Sequence, residues 1–375
     1  MKQVHPLDAR LREDDRESCE SVRTGVRLRR TGGWGCPRVS SIIWAMKVSE
    51  LGEFGLIGLL ARIVPQGGPE HRMLLGIGDD AAAWQGDDST VLATTDAMVE
   101  GVHFTGGTPW WQLGWKALAV NLSDIAAMGG VPTHALVNLS LPGDTEVEDV
   151  KQLYRGLADL AGRHQVAIVG GNITRAPLIM ITVTVIGRGL VEGLLMRSRA
   201  VPGDLVAVTG YLGAAAAGLR ALSEKIDVSP QAAAYLNKAR LQPQPRIAEG
   251  QLMVKLGVRA AIDVSDGLLA DLGHVCKASN VGATVRAEAV PVHPLVEGVF
   301  RNDARRLALT GGEDYELLFT ASQRVMEEVR AALGAECPVT VIGEITHGTG
   351  VVLLGEDGKP YHIDGPGWDH FRKGG

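Results

Sequence analysis

The chain has 375 residues, 45% of them hydrophobic and 21% charged, which is enough for two domains with full cores. Its 37 Lys/Arg stand against 43 Asp/Glu, and the net charge of -6 is unevenly spread: residues 1–45 carry +3 and the remaining 330 carry -9, a body too acidic for nucleic acid to be the main partner. The four cysteines at 19, 36, 276 and 337 form no CxxC pair, so neither a disulfide framework nor a zinc site is indicated, a reducing cytoplasm is expected, and no apolar run reaches membrane-spanning length.

Residues 1–45 differ from the rest. Asp14-Asp15-Arg16-Glu17 and Arg27-Leu28-Arg29-Arg30 are charge clusters, and Thr31-Gly32-Gly33-Trp34-Gly35 breaks regular structure. The stretch has no apolar signal-peptide core and is too acidic for a transit peptide. It is expected to be a disordered extension ahead of a functional start at Met46.

A short helix follows from Ser49, with Leu56, Ile57, Leu59 and Leu60 on its apolar side, and the Pro-Gln-Gly-Gly-Pro loop at 65–69 ends it. Leu74-Leu75 leads into Gly76-Ile77-Gly78-Asp79-Asp80. Residues 91–96 read as a buried strand ending on Thr94-Thr95-Asp96, and His103 lies on the loop beyond. The helical spacing at 115–128 puts Leu118, Leu122 and Ile125 on one face and encloses Asn121-Leu122-Ser123-Asp124. A strand at 135–139, a helix at 147–164 and a short strand at 166–169 ending in Gly170-Gly171-Asn172 come next. Residues 179–186 then alternate as a strand should. The turn Val201-Pro202-Gly203-Asp204 divides the chain into domains 46–200 and 201–375. Beyond it, strands (205–209, 260–264, 283–288, 315–320, 338–342) alternate with helices (212–223, 245–256, 266–278, 322–333). This predicts an α/β protein, or α+β layers, and excludes a helical bundle.

Five stretches run from a strand or helix into acidic or small polar residues: Gly78-Asp79-Asp80, Thr94-Thr95-Asp96, Asn121-Leu122-Ser123-Asp124, Gly170-Gly171-Asn172 and Asp263-Val264-Ser265-Asp266-Gly267. Each has a plain structural reading. Ser265 suits a helix N-cap and Asp266 a first helical turn. Gly311-Gly312-Glu313-Asp314 suits a turn, and His103 a surface loop. Their convergence at strand ends, however, would demand cations to be tolerated, as in a multi-metal nucleotide site. Neither a GxxxxGK[ST] nor a GxGxxG run occurs.

Four runs carry a more specific signal: 76–81, 115–129, 261–268 and 310–317, joined by Gly367-Trp368-Asp369-His370-Phe371. In combination they resemble the thiamine-monophosphate kinase family, part of the superfamily that includes aminoimidazole ribonucleotide synthetase and selenophosphate synthetase. The resemblance spans roughly residues 47–372. It implies a two-domain aminoimidazole ribonucleotide synthetase-like fold, with N-terminal sheets paired in a homodimer and a C-terminal α/β domain. ATP would lie between the two domains. Several Mg²⁺ ions would be held at Asp80, Thr94, Thr95, Asp96, Asp124, Asp263 and Asp266. ATP contacts would come from Tyr154, Gly171, Arg197 and Ser265, and thiamine phosphate contacts from His103, Glu313 and Trp368.

The implied reaction is direct in-line transfer of a phosphoryl group from ATP to thiamine monophosphate. The acceptor is a phosphate oxygen already ionised at neutral pH, so no residue is needed as general base and the metal cluster carries catalysis. Two alternatives remain: a synthetase-type relative, or a non-catalytic nucleotide-binding relative. Cys19 and Cys36 lie outside the matched run, against selenophosphate synthesis; the retained carboxylates argue against lost turnover.

One position departs from the family pattern. Asn172 stands where the family has a metal-binding Asp, and among the ATP contacts it can offer a carbonyl oxygen but no charge. Asn172→Asp is expected to lower the Mg²⁺ concentration for half-maximal rate, and an unchanged requirement in a Mg²⁺ titration would refute this.

Overall fold

The computed structural model describes residues 48–63, 72–334, 336–361 and 363. The expected N-terminal extension with its start at Met46, the 65–69 loop and Trp368 with its neighbours lie outside the described residues.

The first half runs α1 (Val48–Leu51), α2 (Glu53–Ile63), β1 (Met73–Leu75), β2 (Ala82–Gln85), β3 (Thr90–Val99), α3 (Trp110–Ala127), β4 (Val131–Leu141), α4 (Val147–Arg163), β5 (Ala167–Arg175) and β6 (Met180–Arg188). Its sheet has the order β1-β2-β3-β6-β4-β5. All neighbours are antiparallel except β4 and β5, which α4 connects as a crossover. The second half runs β7 (Leu205–Thr209), α5 (Ala214–Ser223), α6 (Pro230–Leu241), α7 (Ile247–Lys255), β8 (Ala260–Asp263), α8 (Leu268–Ser279), β9 (Gly282–Arg286), α9 (Pro294–Phe300), α10 (Asn302–Thr310), β10 (Leu317–Ala321), α11 (Gln323–Leu333), β11 (Val339–Thr346) and β12 (Gly350–Leu354). Its sheet, β12-β9-β11-β7-β10-β8, is antiparallel except for β12 beside β9. The layering is that of an α+β protein.

The sheets differ in how they are covered. In β7, Val206 and Val208 face one core while Ala207 faces another. A strand buried on both faces reads as a continuous apolar run, and that is how this one reads. The first sheet is covered on one face only. Leu92, Val137, Leu139, Ile181 and Val183 lie under α3 and α4, while Leu136 and Met180 on the other face remain exposed.

The middle element is α3. It packs on α4, α6, α7, β3, β6 and β8, and so touches both sheets. A helix surrounded on all sides must be apolar nearly all round, and 14 of its 18 residues are buried. It meets α4 through glycines: a Cβ at Gly114 would fall 1.9 Å from the Leu153 carbonyl oxygen, and one at Gly156 would fall 1.8 Å from that of Trp111.

Several elements were not expected. α6 begins on Ser229, whose hydroxyl accepts from the Ala232 N–H, with Pro230 at the first helical position. α9 begins in the same way on His293-Pro294. α10, β2 and β12 were also missed. β5 does not stop at Gly170 but pairs with β4 as far as Arg175. Gly171 permits this, because a Cβ there would lie 1.8 Å from the Val137 carbonyl oxygen. Among the described residues no helix is long and apolar enough to cross a membrane.

Gly156→Ala forces the α3 and α4 backbones apart and is expected to cost about 2 kcal/mol or more. Urea unfolding measures this, and a loss below about 0.5 kcal/mol, ordinary for a surface change, would show that the crossing can relax.

Candidate active site

Three segments deliver the central carboxylates. Asp80 follows the turn after β1, Asp124 comes from the last turns of α3, and Asp263 ends β8. One carboxylate oxygen from each lies within 4.8 Å of the others. Asp80 and Asp263 are buried, and the Asp80 Oδ2 has no hydrogen-bond partner. Burial, with the charge of Asp80 added, pushes Asp263 up to about 7. Burial and then the charges of Asp96, Asp263 and Asp80 hold Asp124 well above the ordinary carboxylate range.

Hydroxyls orient two of the three. The Thr94 Oγ1 donates to the Asp124 Oδ2 at 2.6 Å, and the Ser123 Oγ donates to the Asp263 Oδ2 at 2.6 Å. Asn121, one turn before Asp124, accepts the Asp96 N–H at 2.9 Å and so ties β3 to α3. Clustered carboxylate oxygens, one of them orphaned, with outer hydroxyls fixing their direction, fit a hard divalent cation. At Asp80 the counter-charge is Arg197, on the 3-10 turn Arg197–Arg199, whose guanidinium bonds the Oδ1. Asp79 does not join the cluster. It accepts the N–H groups of Asp80 (3.0 Å) and Arg197 (3.3 Å), the turn-holding role its place beside Gly78 suggests. Burial, with Asp80 beside it, pushes Asp79 up to about 6.

The motif after β8 is built differently from expectation. Ser265 does not cap α8; Gly267 occupies the cap at φ 116°. The backbone there lies so close to Thr310 that a Cβ would meet its carbonyl oxygen at 2.8 Å. Asp271 holds the turn instead, accepting the N–H groups of Asp266 (3.2 Å) and Gly267 (3.0 Å). Asp266 forms a second group of potential ligands with Asp271 and His274.

The 311–315 stretch leaves α10 through strained backbone. Glu313 and Tyr315 have φ of 66° and 52°, a conformation that costs a non-glycine residue about 1 kcal/mol or more. The surroundings hold it. The Glu313 N–H donates to Ser265, the Tyr315 N–H donates to Val264, and Asp314 accepts the Gly213 N–H at 2.7 Å. Burial pushes Asp314 up to about 8. The Glu313 carboxylate receives the buried Lys116 ammonium at 2.5 Å.

Other expected residues lie apart from the carboxylates. On β3, Thr94 faces Asp124, so strand alternation turns Thr95 to the opposite face; its hydroxyl bonds Val183 and Thr184. Gly171 and Asn172 sit on the exposed edge strand β5, Asn172 paired in register with Asn138. Tyr154 lines a groove of about 390 Å³ with Leu141, Pro142, Val147, Val150 and Ile173. The His103 Nδ1 accepts the Val99 N–H at 3.0 Å. Sequence reasoning missed Lys116, Ser123, Asn121 and Asp271. The one signal for the first three was a polar residue inside an apolar helix.

The raised carboxylates have a consequence for stability. Asp263 and Asp79 bind protons at about 7 and about 6 in the folded chain, against an ordinary value of 3.8. The folded state therefore holds more protons, and the stabilisation these groups provide is full below about pH 4 and lost as pH rises through 6 to 7. A bound divalent cation offsets that loss. Mg²⁺ is expected to raise the melting temperature more at pH 8 than at pH 5, and equal increments would contradict this assignment.

The chain matches two family models, described as AIR synthase related protein, N-terminal domain, over residues 78–189, and AIR synthase related protein, C-terminal domain, over residues 201–355. It is 41% identical to the thiamine-monophosphate kinase of Escherichia coli (strain K12), covering 79% of this chain and 92% of that protein. It is 35% identical to the Bacillus subtilis (strain 168) thiamine-monophosphate kinase, over 84% of this chain and 98% of the other. A solved structure described as AaThiL complexed with AMPPCP and TMP superposes with a TM-score of 0.77 at 34% identity, covering 87% of this chain and 99% of that one. A fold with both AIR synthase related halves, a buried carboxylate cluster between segments from each, and full-length similarity at this level place the chain in the thiamine-monophosphate kinase family.

Proposed function

We propose that this chain phosphorylates thiamine monophosphate to thiamine diphosphate at the expense of ATP. The observation that carries the reading is the Asp80, Asp124 and Asp263 cluster, with its orphaned oxygen, in a chain whose relatives are thiamine-monophosphate kinases. One solved relative holds AMPPCP together with TMP.

Asp80, Asp124 and Asp263 would hold Mg²⁺, with Asp96 and Asp266 beside them and Thr94 and Ser123 fixing the carboxylates. When bound, Mg²⁺ supplies neutralisation and alignment of phosphate oxygens, the main need of in-line transfer between anions. The residues do the rest by position. The acceptor oxygen is already ionised, so no side chain has to remove a proton. Arg197, whose buried Nε has no hydrogen-bond partner, is the cation suited to a nucleotide phosphate. The apolar groove beside Tyr154 suits a nucleobase. Gly171, Asn172 and Ser265 complete the proposed ATP contacts, and His103, Glu313 and Trp368 the substrate contacts.

We also take the protein to be a cytoplasmic homodimer, with domains 46–200 and 201–375. The open face of the first sheet supports pairing: Leu136 and Met180 are exposed on it beside the edge strand β5. Thr95 and Asn172 share that face, so a second copy laid over it would enclose them.

The test is product formation. With ATP and Mg²⁺, the full chain should convert thiamine monophosphate to thiamine diphosphate and release ADP, while free thiamine and aminoimidazole precursors release none. Asp124→Ala is expected to lower kcat at least about 100-fold with the fold retained. Near-wild-type turnover by that variant would break the metal-cluster assignment, and ADP release with free thiamine would indicate a different kinase class.

A further inference from the structure

We propose that Lys116 is a positioning residue for thiamine monophosphate, holding the Glu313 carboxylate in the direction in which it accepts a hydrogen bond from the substrate's neutral aminopyrimidine end. The inference rests on the function proposed above and deepens it. Lys116 is 2% exposed, deep within α3, and its ammonium reaches a carboxylate 197 residues away. That carboxylate stands on strained backbone, at φ 66°. A buried ion pair contributes little net stability, and strain of this kind persists where it serves a site.

The charge balance separates two roles for Glu313. An isolated carboxylate could serve as counter-ion to the substrate's thiazolium. Glu313 is not isolated: Lys116 pairs with its Oε1 at 2.5 Å, and the guanidinium of Arg240 on α6 is close enough for the Glu313 charge to act on it. Arg240 is itself buried, and its Nε has no hydrogen-bond partner. With the Lys116 ammonium paired to it, the Glu313 carboxylate already has its charge balanced and has little to offer a second cation. It keeps its capacity to accept hydrogen bonds, and its side chain is 30% exposed, so a ligand N–H can reach it. Placement agrees. Lys116 and Asp124 are eight residues apart on one helix, about 12 Å along its axis. This is comparable to the length of an extended thiamine phosphate with its phosphate at the carboxylate cluster and its pyrimidine near Glu313.

The experiment compares Lys116→Met, Lys116→Arg, Glu313→Gln and the double variant Lys116→Met/Glu313→Gln in the full chain. Lys116→Met is expected to raise the KM for thiamine monophosphate about tenfold or more, with the KM for ATP changed less than about twofold. Lys116→Arg, which keeps the charge and the donor, should recover part of the loss. Because Lys116 acts through Glu313, the double variant should be no worse than Glu313→Gln alone. Multiplying losses in the double variant, or an equal rise in the KM for ATP, would overturn the proposal. Calorimetric binding of thiamine monophosphate reads the same ratios without turnover. Failure of the wild-type chain to form thiamine diphosphate would refute the function itself, whereas normal wild-type activity with an unaffected Lys116→Met variant would refute only the role of Lys116.

Discussion

Three carboxylates cannot share a few ångströms of buried space unless something neutralises them. Asp80, Asp124 and Asp263 come from three separate segments, and each was brought there by an element with its own packing reasons. Without a cation the chain meets the electrostatic cost in two ways. Asp263 and Asp124 hold their protons far above the usual carboxylate range, and Arg197 leans on Asp80. Neither device satisfies the last oxygen of Asp80. A folded state left with a buried, unpartnered oxygen is completed by a ligand that brings positive charge. The geometry around the cluster follows from that need.

The helix α3 makes the arrangement possible. It lies against both sheets, so one element can carry Asn121 to β3, Ser123 to Asp263 and Lys116 to Glu313. Each of these contacts ties the helix to a different part of the chain. Lys116, Asn121, Ser123 and Asp124 interrupt an otherwise apolar cylinder, and each has found a partner. The strained backbone at 313–315 is held from the other side, by Ser265, Val264 and the start of α5.

This distribution explains what could be read before any coordinates. The acidic runs were plain because Asp beside Gly or Ser at the end of an apolar strand is locally odd, and the family motifs sharpened them. The two-half layout was plain because strand and helix periods alternate. Lys116 and Ser123 were opaque because their meaning depends on Glu313 and Asp263, 197 and 140 residues away. Ser265 suits a cap by local rules, but Gly267 takes the cap and Asp271 holds the turn. β5 misled in the opposite sense. Two glycines look like a strand's end, yet here Gly171 lets the strand continue by lying against Val137. The caps of α6 and α9 stand in the sequence as Ser229-Pro230 and His293-Pro294.

The glycine contact between α3 and α4 reaches beyond packing. Gly114 lies two residues from Lys116, and Gly156 two residues from Tyr154. At that crossing the two backbones touch with no side chain between them, so neither helix can slide or roll on the other without main-chain collision. The pair works as a ruler. The distance between the groove beside Tyr154 and the carboxylate at Asp124 is set by the main chain, and side-chain repacking cannot lengthen it. Any change in the width of the groove therefore falls to the loop between β4 and α4, which lines it and carries no such contact.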